Sequence, residues 1–101
     1  MGKENSNSKK EIKQKYCFKL FVAGKDPNSQ KASEVLKSFC QTYITDQYKL
    51  EIIDVYENYQ TAIENKITAV PTLIVQSSNI NTTIIGSLDS PESLAKTLSL
   101  I

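Results

Sequence analysis

The chain has 101 residues, with twelve lysines against eleven acidic residues, a formal charge of +1, and no arginine, histidine or tryptophan. That length fits a single domain whose core removes roughly two-thirds of the unfolded chain's surface. Without histidine, Ser-His-Asp and Cys-His catalysis and His-ligated zinc or haem are excluded; two cysteines are too few for an Fe–S cluster or a Cys₄ zinc site; and without arginine there is no bidentate reader of phosphate or guanine. No metal, cofactor or nucleic-acid partner is therefore expected.

Residues 1–15 carry five lysines and two glutamates among Asn, Ser and Gln, with Ile12 as the one branched aliphatic residue. Such a stretch buries too little surface to order itself, which predicts a disordered basic tail of charge +3 before a domain over 16–101 of charge −2. Met1–Ser6 formally fits a myristoylation pattern, but so few constrained positions recur by chance. No apolar run approaches the ~20 residues that cross a bilayer, and the start lacks the apolar stretch of a signal peptide. A cytoplasmic protein with no membrane partner and two reduced thiols is expected.

Tyr16 to Ala23 is apolar apart from Lys19, ends at Gly24, and reads as a strand buried in the middle of a parallel sheet. Asp26-Pro27 reads as an N-cap followed by proline at the first helical position. Ala32, Val35, Leu36, Phe39, Cys40 and Tyr43 then recur at helical spacing and form one stripe. Leu50 to Val55 reads as a second strand, closing a β-α-β unit with parallel strands. Asn58 can cap a short helix through Asn65 with Ala62 and Ile63 as its buried face. Thr72 to Val75 and Ile80 to Ile85 read as a hairpin about a turn at Ser77-Ser78-Asn79. Ser90-Pro91-Glu92 repeats the cap-then-proline signal, and Leu94, Leu98 and Ile101 mark the stripe of a last helix.

The order β-α-β-α-β-β-α, with Val70-Pro71-Thr72 just before the third strand, resembles the thioredoxin fold, an α/β architecture on a mixed sheet. That resemblance implies a cis Val70–Pro71 bond. It also locates the usual redox Cys-x-x-Cys between the first strand and first helix, where this chain has Asp26-Pro27-Asn28-Ser29 and no sulfur. More specifically, Lys19-Leu20-Phe21-Val22-Ala23-Gly24, Pro27-Asn28-Ser29, Leu50 to Val55, Ala69-Val70-Pro71-Thr72-Leu73 and Ile84-Ile85-Gly86 resemble the KaiB family of small circadian-clock proteins. The resemblance implies a non-enzymatic adaptor that binds the N-terminal ring of a KaiC-like ATPase, or a related sensor kinase. It further implies a possible dimer or tetramer and an alternative KaiB-type fold of the second half. The chain departs from the family at Glu57 to Gln60 and at Ser77 to Asn81, where family members carry prolines, and has Gly86-Ser87-Leu88-Asp89 for the family's Gly-Asp-Leu-Ser. These losses favour the thioredoxin-like arrangement in the free chain.

Cys17 and Cys40 read as buried structural thiols; the competing reading, a redox or thiol-binding member of the thioredoxin superfamily, would need them close and exposed. Asp54, Tyr56, Glu57, Tyr59, Gln60 and Glu64 read either as ordinary solvated polarity or as a partner-binding face. Tyrosine suits the second reading because its rigid ring loses little freedom on burial, and the resemblance implies it, since family binding uses this region. Gly24, Gly86 and Pro71 read as structural positions, the glycines supplying positive φ or close approach.

Overall fold

A computed structural model describes residues 16–44, 48–78, 80–86 and 88–100. The expectations for residues 1–15, Asn79, Ser87 and Ile101 lie outside these. Seven elements follow in order: β1 (Tyr16–Val22), α1 (Pro27–Tyr43), β2 (Tyr48–Asp54), α2 (Tyr59–Glu64), β3 (Thr72–Ser77), β4 (Asn81–Ile85) and α3 (Pro91–Thr97). The strands form one sheet in the order β2-β1-β3-β4. β1 pairs with β2 in parallel but with β3 antiparallel, so its apolar run reflects a central position in a mixed sheet and not an all-parallel one.

Alternation along β1 divides the side chains between two faces. Phe18, Leu20 and Val22 enter the main core with Leu73 and Val75 of β3, Ala32, Leu36, Phe39 and Cys40 of α1, and Leu94 and Ala95 of α3. The α1 stripe is buried because its 3.6-residue period lays Ala32, Leu36, Phe39 and Cys40 along one line. Phe39 holds the centre, edge-on to Phe18 at 6.0 Å and stacked on Tyr43 at 5.5 Å between ring centroids. Cys17, Lys19 and Phe21 point to the opposite face, where Phe21 is fully buried and Cys17 only half-buried. Burial of Cys17 is thus an expectation the structure corrects: its parity along the strand takes it away from the main core.

Both proline-led helix starts are capped as their sequences suggest. Asp26 accepts from the Ser29 amide at 3.0 Å and Ser90 from the Ser93 amide at 3.1 Å. Asn58 stands before α2, but its side-chain amide donates back to the Asp54 carbonyl at 3.1 Å, with no cap bond to the helix. The hairpin strand β3 runs on through Ser77, whose amide donates to the Ile80 carbonyl at 2.8 Å, so Ser77 belongs to the ladder where the sequence suggested a turn.

Two helix ends close by the same device. After α2 the Ile67 amide donates to Ala62 and the Lys66 amide to Ile63; after α3 the Leu100 amide donates to Ala95 and the Ser99 amide to Lys96. These are Schellman closures, which need a left-handed residue, and here non-glycine residues supply it: Lys66 at φ 59° and Ser99 at φ 60°. A side chain in that region costs about 1–2 kcal/mol, so Ser99→Gly should stabilise the domain by about 0.5–1 kcal/mol once glycine's greater unfolded-state freedom is offset. Urea titration checks this; a lower midpoint for Ser99→Gly would refute the backbone reading.

Candidate functional site

The C-terminal ends of β1 and β2 lie side by side, and there Gly24, with a left-handed backbone, meets Tyr56 and Asp54. Gly24 takes φ +51°, and a Cβ there would lie 3.6 Å from the Tyr56 ring. Asp54 fastens this corner. Its Oδ1 accepts from the Tyr56 amide at 2.9 Å and from the Gly24 amide at 3.3 Å, while its carbonyl accepts from Glu57 and Asn58. One carboxylate therefore ties the end of β2 to the β1–α1 loop. Ser29, at the first turn of α1, is buried and accepts the Ala23 amide at 3.1 Å. Its hydroxyl secures the loop at the second cysteine position of the stretch that the resemblance aligns with Cys-x-x-Cys, Asp26 standing at the first, nucleophilic one.

The Val70–Pro71 bond is cis. Pro71 is buried, and its carbonyl accepts from the Gly86 amide at 2.8 Å, joining the start of β3 to the end of β4. Gly86 takes φ +103° with open space around it, so it is the backbone angle and not crowding that calls for glycine there. Thr72 is buried too and donates its hydroxyl to the Ala69 carbonyl.

Beyond this corner lies α2, and its outer surface is unusual. Tyr56 is 77% exposed, Tyr59 70% and Ile63 50%. The sequence suggested Ala62 and Ile63 as a buried face, but only Ala62 is buried: a six-residue helix turns just one position fully inward, and Ile63 stands on the rim. Together Val55, Tyr56, Tyr59, Ala62, Ile63 and Ile67, with residues 68–70, line an open apolar concavity of about 350 Å³. That lies at the small end of the range of about 300–1,000 Å³ found for ligand sites. Glu57, Gln60 and Glu64 are exposed beside it, with Gln60 donating to Glu64 across one turn at 3.4 Å. Of the six residues singled out from sequence, five are thus exposed around this surface, and Asp54 is the half-buried fastening behind it. Ile63 and Ile67 were missed, although Tyr56, Tyr59, Ile63 and Ile67 recur every three or four residues and so mark an apolar line.

The two cysteines do not meet. Cys17 points to one sheet face and Cys40 is fully buried in the core on the other, with β1 between them. Burial pushes the Cys40 thiol up to about 11 from its ordinary 9.0. Only a thiolate attacks a disulfide, so Cys40 is unsuited to that chemistry near neutral pH. A measurable pH dependence follows. Between pH 9 and 11 the unfolded chain gives up the Cys40 proton while the folded chain keeps it, so this contribution to stability is full below pH 9 and declines as pH rises to 11. Wild type should therefore lose more stability over that window than Cys40→Ala, by chemical denaturation; equal losses would contradict the burial argument. Among the described residues no group of three or more His, Cys, Asp or Glu side chains is placed to hold a metal, and no helix is long and apolar enough to cross a membrane.

Comparison with known proteins gives a consistent picture. Residues 19–100 match the family model for the KaiB domain. The circadian clock oscillator protein KaiB of Picosynechococcus is 40% identical over 90 residues, covering 89% of this chain and 86% of that protein. The circadian clock oscillator protein KaiB1 of Synechocystis is 39% identical over the same shares. Among solved structures, chloroplastic thioredoxin z superposes with a TM-score of 0.73 at 15% identity, covering 85% of this chain and 77% of that one. Mitochondrial thioredoxin 3 of Saccharomyces cerevisiae gives 0.68 at 22% identity, covering 87% and 80%. At such identities the thioredoxins share the fold alone.

Proposed function

The chain belongs to the KaiB family, and from that premise we propose that it is a non-catalytic clock regulator that docks on the ring of a KaiC-like ATPase or on a related sensor kinase. The observation that carries the proposal is the exposed surface of Tyr56, Tyr59 and Ile63, beside a corner that Asp54 ties together through the Gly24 and Tyr56 amides. Large rigid rings exposed beside a concavity suit an interface, because they bury much area at small entropic cost. The thioredoxin frame serves here as a scaffold: Asp26 caps a helix and Ser29 pins a loop where a redox pair would sit.

Purified full chain mixed with a KaiC-like ATPase from the same organism, with ATP or ADP, tests the reading by size-exclusion chromatography. Co-elution is expected. No complex with either the ATPase or the related sensor kinase overturns it. An insulin-reduction assay addresses the thiol alternative, and no turnover is expected. Turnover lost in Cys17→Ser or Cys40→Ser would reinstate thiol chemistry.

A further inference from the structure

The apolar concavity and the charges around it specify the partner more closely than its existence does. Resting on the docking reading above, we propose that the hollow between α2 and residues 67–70 receives one bulky aliphatic or aromatic side chain of a partner protein, flanked by lysine or arginine residues that reach Glu57 and Glu64. The walls are Tyr56, Tyr59, Ile63 and Ile67, and the floor is the buried Ala62. Such a lining offers apolar contact and few polar partners, so it selects a side chain without hydrogen-bonding groups at its tip.

The rim sets the sign of the partner's charge. Segment 54–70 contains Asp54, Glu57, Glu64 and one cation, Lys66, for a net charge of −2. The facing β1–α1 loop adds Lys25 and Asp26, which offset each other. Asp54 is committed to the Gly24 and Tyr56 amides, so Glu57 and Glu64 are the carboxylates presented outward. Glu64 follows Ile63, Glu57 follows Tyr56 and Lys66 precedes Ile67, so two exposed carboxylates and one exposed lysine neighbour the walls in the chain, and the acidic sign prevails. A ligand with cations next to its apolar anchor can reach these exposed carboxylates. An acidic segment would meet like charge over a low-dielectric wall.

The test uses the full chain and short fluorescein-labelled peptides that differ only in their flanks: a single leucine between lysine pairs, and the same leucine between glutamate pairs. Fluorescence anisotropy should show saturable binding of the lysine peptide, and binding of the glutamate peptide at least roughly tenfold weaker, since two exposed charge contacts become two repulsions. Tyr59→Ala and the double variant Glu57→Lys with Glu64→Lys should each weaken the lysine peptide by roughly tenfold, as expected for loss of an aromatic anchor or of both rim contacts. Glu92→Lys on α3 should change nothing. Equal binding of both peptides, no binding of either, or indifference to the rim reversal overturns the proposal. Self-association of the full chain that Tyr59→Ala abolishes would make a second copy the occupant and equally overturn it. Capture of the ATPase without the lysine peptide would refute this inference and leave the docking reading intact; the reverse outcome would separate them the other way.

Discussion

Phe39→Ala should cost about 3–5 kcal/mol of folding stability, the range for deleting a buried phenylalanine and leaving a cavity. Phe39 is fully buried between the helical layer and the sheet, and its ring is held by Phe18 edge-on and by Tyr43 in stacking. The pair geometry adds about 0.5–1.5 kcal/mol per aromatic contact beyond the area term. A domain of this size has about 5–15 kcal/mol in all, so the variant forfeits roughly a fifth or more of its stability. Urea denaturation followed by far-ultraviolet circular dichroism should show a much lower midpoint with an unchanged slope. The contrast is Ile85→Ala, at a residue 64% exposed on the outer strand β4, which should stay within about 0.5 kcal/mol of wild type. If the two variants behaved alike, the core would not lie where α1, β1 and β3 meet.

The second large effect concerns binding and leaves folding untouched. Replacing Tyr56 and Tyr59 together by alanine should weaken capture of the KaiC-like ATPase about a hundredfold or more, since a central aromatic anchor at an interface is commonly worth about 2 kcal/mol or more. Both rings are mostly exposed in the free chain, so the denaturation midpoint should scarcely move. Isothermal titration on the stable double variant separates the two readouts. Unchanged affinity would move the docking face elsewhere on the molecule.

Much of the architecture was legible because a few residues carry strong local instructions. Asp26-Pro27 and Ser90-Pro91 each combine a side-chain acceptor with a residue that lacks an amide donor, and both start helices where that chemistry is useful. The α1 stripe was legible because one face of a long helix repeats through four turns. The helix ends at Lys66 and Ser99 were not, since a left-handed closure is usually marked by glycine and here hydrogen bonds hold ordinary residues in place. Ile63 was misjudged as buried because hydrophobicity says nothing about what is available to cover a short helix. Cys17 was misjudged because a run apolar on both faces conceals which face the main core occupies.

The candidate site was legible in its residues more than in its shape. Tyr56, Glu57, Tyr59, Gln60 and Glu64 stood out by their tyrosines and by the family resemblance, and Ile63 and Ile67 continue the spacing of the tyrosines, but the hollow also depends on how residues 68–70 return past α2, a path with no periodic signal. Asp54 read either as ordinary polarity at a strand end or as a partner contact. Its role in fastening Gly24 to Tyr56 depends on β1 and β2 lying side by side in parallel, with Val22 opposite Asp54.

The central claim is that a thioredoxin-like frame without thiol chemistry presents its α2 end for docking, and amide NMR spectra of the labelled full chain, alone and with the unlabelled ATPase ring, test it most directly. The free chain should give helical shifts across Pro91–Thr97, and the ring should first erase signals from Tyr56 to Val70 while those of Asn81–Ile85 persist. Strand shifts across Pro91–Thr97 in the free chain, or signal loss centred on another face, would contradict the account.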